Sequence, residues 1–191
     1  MGAALAVAAG LSGCGINTVP RQDEQVKAAW SQVQNEYQRR SDLVPNLVAT
    51  VKGYAAQEKS VLVQVTEARA HATQTTMNLP PDVTSNPGAF QKFEQSQNQL
   101  TQALGRLMVV VERYPDLKSN QTFLALQSQL EGTENRIAVA RKDYIDSVQT
   151  YNTTLRTIPQ RWIAAIFYPD AKVKQTFTAA EPAQTAPHVQ F

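Results

Sequence analysis

Two short stretches of this chain concentrate groups that could do chemistry. Arg39, Arg40 and Asp42 stand together, and Glu131, Glu134, Arg136, Arg141, Lys142 and Asp143 crowd a second stretch. Paired carboxylates act as general acid and base when a cleft drives their pKa values apart. The same charges on helix faces pair at i,i+4 or between helices and set how the helices line up. Carboxylates beside arginines fit the second use. Arg39, Arg40, Asp42, Glu131, Glu134 and Arg136 are therefore expected as register-fixing pairs or as a recognition surface for a charged partner. A metal site in a helical bundle needs Glu-x-x-His on facing helices. The nearest approach is Glu67 with His71, at i,i+4 on one helix, which reads as a solvated pair. His188 lies in a Pro- and Ala-containing tail and reads as unligated. No Ser-His-Asp or Cys-His arrangement and no phosphate-cradling glycine loop is present. The expectation is no catalytic residue, no metal and no cofactor.

Cys14 is the sole cysteine, so no intrachain disulfide or cysteine-rich zinc site can form. It closes an apolar N-terminus, Ala3 to Leu11, that is too short to span a bilayer, which takes about 20 residues. That length suits the apolar part of a signal peptide. Leu11-Ser12-Gly13-Cys14 resembles the bacterial lipobox, whose cysteine thiolate takes up a diacylglyceryl group. Residues 1–14 thus read as a lipoprotein signal peptide, with Cys14 as the site of diacylglyceryl and palmitate-type acylation. Met1-Gly2 lacks the usual basic start, and Ala6 stands where a myristoylation signal wants Ser or Thr. Gly15 rather than Asp follows Cys14, which would allow transport to an outer membrane in a two-membrane cell. Residues 15–21 read as a short tether.

The elements that must position these groups are helical. The chain has 191 residues, 42% of them hydrophobic and 18% charged, with a formal net charge of +2. That balance suits one globular domain, and the small net charge gives no case for nucleic-acid binding. Val26, Trp30, Val33 and Tyr37 recur at spacings of four and three, and Val44, Leu47, Val51 and Tyr54 continue the series. A second stripe runs from Phe90 to Tyr114, with Gln97 as its polar member. A third runs from Phe123 to Ile158. Such spacing marks a coiled-coil-like seam. The loop 78–88 ends in Asn86-Pro87, an N-cap followed by Pro at the first helical position. Pro115 stops a helix, Ser119 or Asn120 caps the next, and Pro159 stops the last long one. Asp42 as N-cap with Pro45 in the first turn predicts helices over 22–40 and 43–77; one kinked helix over 22–77 is the alternative. Gly53 and Gly132 interrupt helices, and close helix packing is the expected reason. The fold expected is all-α: an elongated antiparallel four-helix bundle over 22–168 with a short extra helix near 160–167, then an extended tail over 169–191.

"AWSQVQNEYQRRSDLVPNLVATVKGYAAQEKSVL" (29–62) and "YPDLKSNQTFLALQSQLEGTENRIAVARKDYIDSVQTYN" (114–152) resemble the LemA family of bacterial envelope proteins. The runs Arg40 to Leu47 and Glu131 to Ile137 carry the resemblance most specifically. It implies a helical bundle held at a membrane by its N-terminus, without established catalytic residues. Family members usually carry an N-terminal transmembrane helix, where this chain has a lipobox.

The expected function is non-enzymatic: a lipid-anchored protein of the bacterial cell envelope that serves as scaffold or interaction partner for other envelope proteins. The alternative is an accessory subunit or weak enzyme with a site at an Arg39–Asp42 helix junction. In a four-helix up-and-down bundle the chain ends where it began. Trp162, Ile166 and Phe167 are then expected near the membrane that holds Cys14, with Arg161, Lys172 and Lys174 toward anionic headgroups.

Overall fold

The computed structural model describes residues 15–178. Cys14, His188 and the ends 1–14 and 179–191 lie outside the described residues. Helix α1 spans Thr18–Tyr54, α2 Lys59–Met77, α3 Pro87–Val111, α4 Pro115–Lys118, α5 Gln121–Arg156 and α6 Gln160–Phe167, with a 3₁₀ turn at Val83–Ser85 before α3. No strand occurs among the described residues. The all-α expectation therefore holds.

Four of these helices run alternately up and down. α1 packs most closely on α5 and α2 on α3, and α1 also meets α2. Side chains report the directions. Asn120 Nδ2, just before α5, donates to the Tyr54 hydroxyl at the end of α1 (2.9 Å), and Arg106 Nη1 on α3 donates to Gln64 Oε1 on α2 (3.1 Å). The end near residue 15 is called the base, and the end near residue 55 the tip. α1 has 37 residues, about 55 Å at 1.5 Å per residue. α2 has 19 and flanks only the tip half. In the base half its place is taken by the loop before α3 and by a strap, residues 171–178. Gln175 N donates to Thr84 O (2.7 Å), and Val83 and Phe177 are buried in the core.

The caps expected at the Asn86 and Asn120 positions are present. Asn86 Oδ1 accepts from Ala89 N (3.1 Å) and Asn120 Oδ1 from Phe123 N (3.0 Å). Each satisfies one of the donors that a helix start leaves free.

The first half of the chain departs from expectation. α1 runs unbroken through 40–43, with Pro45 inside it. Neither a break at Asp42 nor a single helix over 22–77 is found; the chain reverses at 55–58. Proline lacks the N–H that would bond the carbonyl four residues back. That carbonyl, Ser41 O, accepts instead from Arg69 Nε of α2 (2.8 Å). The Ser41 and Thr73 hydroxyls also bond (2.9 Å). The defect left by Pro45 is thus repaired by a neighbouring helix, and the backbone continues. At 55–58 the local sequence is Ala-Ala-Gln-Glu, with no turn residue. The reversal is tied down from outside: the Tyr114 hydroxyl accepts from Gln57 Nε2 (2.9 Å) and donates to Glu58 Oε1 (2.9 Å), which Arg113 Nη2 also approaches (3.0 Å).

Two further expectations are corrected. Residues 15–21 are not all tether, because α1 starts at Thr18 and Val19 is already buried. Nor does close packing explain the glycines. A Cβ at Gly53 would meet nothing within 4 Å, and one at Gly132 would meet only Arg136 Nη1, at 3.6 Å.

The buried apolar residues form two clusters. The base cluster is built of rings, with Trp30 centred 5.5 Å from Phe90, 5.0 Å from Phe93, 5.3 Å from Tyr144 and 6.2 Å from Phe177. The tip cluster is largely aliphatic: Val44, Leu47, Val51, Leu62, Leu100, Leu104 and Leu107.

Candidate functional site

Polar side chains separate the two clusters. The seam of α1 runs Val33, Tyr37, Arg40, Val44, Leu47, and Arg40 fills its slot as fully as an apolar residue would, at 1% exposure. Gln97 and Thr133 occupy seam slots of α3 and α5 and are also buried. Arg40 Nη1 donates to Thr101 Oγ1 (2.8 Å) and Glu134 Oε1 (3.1 Å). Its Nη2 donates to Gln97 O (3.1 Å) and Gln97 Oε1 (2.8 Å). Gln97 Nε2 continues to Thr76 Oγ1 on α2 (3.3 Å). The guanidinium carbon sits 4.9 Å from the centre of the Tyr37 ring. One residue thereby connects α1, α3 and α5, and α2 through Gln97.

A second pair lies toward the outside at the same level. Arg136 Nε donates to Glu36 Oε2 (3.0 Å) and its Nη2 to Thr133 Oγ1 (2.8 Å). Gln32 Nε2 donates to the other Glu36 oxygen (3.1 Å). Of the six charged candidates, Arg40, Glu134 and Arg136 meet at this layer. Arg39, Asp42 and Glu131 do not. They are exposed, and the carboxylates of Asp42 and Glu131 accept from Gln38 (2.8 Å) and Gln127 (2.9 Å), each on its own helix. A step of about 100° per residue explains the split, since a residue next to a seam slot points away from the core. The Arg39–Asp42 segment is mid-helix, so the junction expected there is absent.

The layer suits holding rather than reacting. Four hydrogen bonds from Arg40 are spent on protein acceptors. Arg40 Nε is buried without a partner. Removing one member of such a buried set leaves charge or donors unpaired, which costs more than the set itself contributes. Glu36, Thr76, Gln97, Thr101 and Thr133 completed the layer without being singled out as candidates. The available signal was a polar residue in an apolar slot, visible at Arg40, Gln97 and Thr133.

Elsewhere, Glu67 and His71 line a polar groove of about 370 Å³ between α2 and α3, with Gln64 and Arg106. No group of three or more His, Cys, Asp or Glu suited to a metal occurs among the described residues. The buried phenols are core groups. Burial pushes Tyr144 well above the usual phenol range and Tyr151 up to about 12.

At the base, α6 closes the bundle beside Gly15, the first described residue. A Cβ on Gly15 would stand 3.1 Å from Ile163 Cδ1 and 3.5 Å from Gln160 Nε2. Ala164 faces inward and is buried, whereas Trp162, Ile166 and Phe167 are exposed. No helix among the described residues is long and apolar enough to cross a membrane.

Residues 29–191 match the family model described as the LemA family. The chain belongs to the LemA family. It is 28% identical over 164 residues to magnetosome protein MamQ 2 of Paramagnetospirillum magneticum, covering 78% of this chain and 60% of that protein. It is 27% identical over 157 residues to magnetosome protein MamQ of Magnetospirillum gryphiswaldense, covering 75% and 58%. It is 23% identical over 141 residues to protein LemA of Metamycoplasma hominis, covering 74% and 59%. The aligned part thus spans about three fifths of the length of these relatives. In this LemA-family bundle, the run Arg40 to Leu47 on α1 meets the run Glu131 to Ile137 on antiparallel α5 at its Arg40 end. The Arg40–Glu134 ion pair (3.1 Å) joins them.

Proposed function

We propose that this LemA-family chain is a non-enzymatic protein of the bacterial cell envelope, anchored by lipid on Cys14, that serves as scaffold or interaction partner for other envelope proteins. The observation that carries this reading is the use of its buried charge. The one fully buried arginine among the described residues is spent on holding three helices together, so the working surfaces are the outward helix faces. A lipid at the base would leave those faces projecting from the membrane along a shaft of about 55 Å. The LemA family match and the relatives named as magnetosome and LemA proteins are consistent with it.

Fractionation tests the anchor. Cys14→Ser is expected to leave the bundle folded and release it from salt-washed membranes, since acyl chains gain about 0.8 kcal/mol per buried CH₂. A serine variant that still pellets with Ile166 and Phe167 also changed to serine would sink the lipid-anchor reading. For the scaffold, a photocrosslinker at Val139, 59% exposed on the α5 shaft, is expected to give discrete adducts in native membranes that disappear with Glu at neighbouring exposed positions. Absence of adducts along the whole shaft would count against a protein partner.

A further inference from the structure

Away from the base, the large exposed apolar side chains, Tyr54, Val63, Met77, Val109, Leu124 and Val139, are spread over four helices, which is ordinary for a protein surface. The base is different. Ile158 (63% exposed), Trp162 (61%), Ile166 (72%) and Phe167 (55%) fall within ten residues. At about 100° per residue, Trp162, Ala165 and Ile166 share one face of α6, roughly opposite buried Ala164, and exposed Phe167, about 100° on from Ile166, stands at the edge of that face. A surface helix normally turns charge outward. α6, Gln-Arg-Trp-Ile-Ala-Ala-Ile-Phe, has a single charge, Arg161.

This face is held firmly. On one side α6 follows directly from α5. On the other, the strap is pinned to the bundle: Asn152 exchanges two hydrogen bonds with the Lys174 backbone (2.8 and 2.9 Å), Lys174 Nζ meets Asp23 Oδ1 (2.8 Å), and Tyr144 donates to Gln175 O (2.8 Å). An ordered helix pays no folding entropy when it docks.

We propose that the outward face of α6 lies in the interfacial region of a phospholipid bilayer, with Trp162, Ile166 and Phe167 at the boundary between headgroups and acyl chains. This deepens the membrane-anchor reading above and rests on it. Three observations select a lipid surface as the occupant. The first described residue, Gly15, stands against Ile163 of this helix, and the sequence just before it is the apolar run Ala3 to Leu11 and Cys14. Arg161 on α6 is exposed, as are Arg156 just before it in the chain and Lys172 just after, opposed by Asp170, which suits anionic headgroups; Lys174, expected with them, is instead paired with Asp23 (2.8 Å). The exposed residues include a Trp, a side chain that favours the water–membrane interface.

The test uses the full chain carrying Cys14→Ser and vesicles of mixed zwitterionic and anionic phospholipid with brominated acyl chains. The chain has two tryptophans, and Trp30, 6% exposed among the base rings, is out of reach of the quencher. The expected result is a blue shift and quenching of Trp162. Ile166→Ser combined with Phe167→Ser should weaken vesicle binding about tenfold or more with unchanged helical circular dichroism. Four results would overturn the proposal. There could be no quenching, or quenching that survives the double substitution, leaving residues 1–11 as the sole contact. Trp162 emission could already be blue-shifted without vesicles and indifferent to them, meaning the chain's own N-terminal segment covers the face. A concentration-dependent dimer abolished by the double substitution would assign the face to a second copy. Because Cys14 is serine in every sample, failure here leaves the fractionation result intact, and retention of Cys14→Ser in native membranes leaves this assay intact.

Discussion

The two halves of the bundle share one seam and fill it differently. The tip half has four helices side by side and is packed with Val and Leu. The base half loses α2 and recovers the missing volume with rings, one of them from a segment that is not helical. Phe177 of the strap lies 5.0 Å from Phe90 and 5.7 Å from Tyr144, with the Arg141 guanidinium 4.3 Å from its ring centre. Where a helix is absent, larger side chains and a docked strand-like strap close the core. Cores are packed to near-crystal density, so a gap of that width does not persist.

Removing the central ring should break the base first. Trp30→Ala is expected to cost about 3–5 kcal/mol, read as a fall in denaturation midpoint. Leu107→Ala in the tip should cost about 2–5 kcal/mol. Hydrogen exchange should report the two losses in different halves; identical exchange patterns would mean that the polar layer does not separate them.

Cutting that layer tests the boundary itself. Arg40→Ala is expected to cost about 3–5 kcal/mol, because Gln97 and Glu134 lose a buried cation. Glu134→Gln should cost about 1 kcal/mol, since the Glu134 side chain is 41% exposed and Arg40 keeps Thr101 and Gln97. Equal effects for the two would show that the ion pair, rather than the full set of acceptors, holds the layer.

The strap gives a smaller, pH-dependent contrast. Burial raises the Asp23 carboxyl, but hydrogen bonds and charge from Lys174 and Lys27 outweigh it and hold the carboxyl below its usual value. A depressed folded pKa means that its stabilisation is complete above about pH 4, the unfolded value, and is lost as pH falls through the folded one. Asp23→Asn should therefore lower the melting temperature slightly at neutral pH, by less than about 1 kcal/mol of stability, and flatten the acid limb below pH ~4. An unchanged acid limb would remove Asp23 from the account. The smallest expected effect is favourable. A Cβ at Gly105 meets nothing within 4 Å, so Gly105→Ala in α3 should stabilise the tip by about 0.5–1 kcal/mol.

What could be read from sequence follows how local its cause is. The Asn86-Pro87 and Asn120 caps and the short α6 are set by neighbouring residues, and they stand where expected. The Arg40 slot was also readable, because the four-three spacing around it never slips. Pro45 misled because its local signal is real while the remedy, Arg69, comes from 24 positions away on another helix. The reversal at 55–58 had no local signal, since Tyr114 and Arg113 hold it from across the tip. Phe177 falls in the stretch expected as an extended tail, yet it is buried in the base cluster, where the truncation of α2 makes room for it.

The alternation of directions puts both the start of α1 and α6 at one end, and the reversal at 55–58 at the other. Such a shaft is a lever. With its arm of about 55 Å, a tilt of about 10° at the base carries the tip sideways by about 10 Å. A small rearrangement at the start of α1 is thus delivered, enlarged, to whatever stands beside residues 55–58 and 112–120.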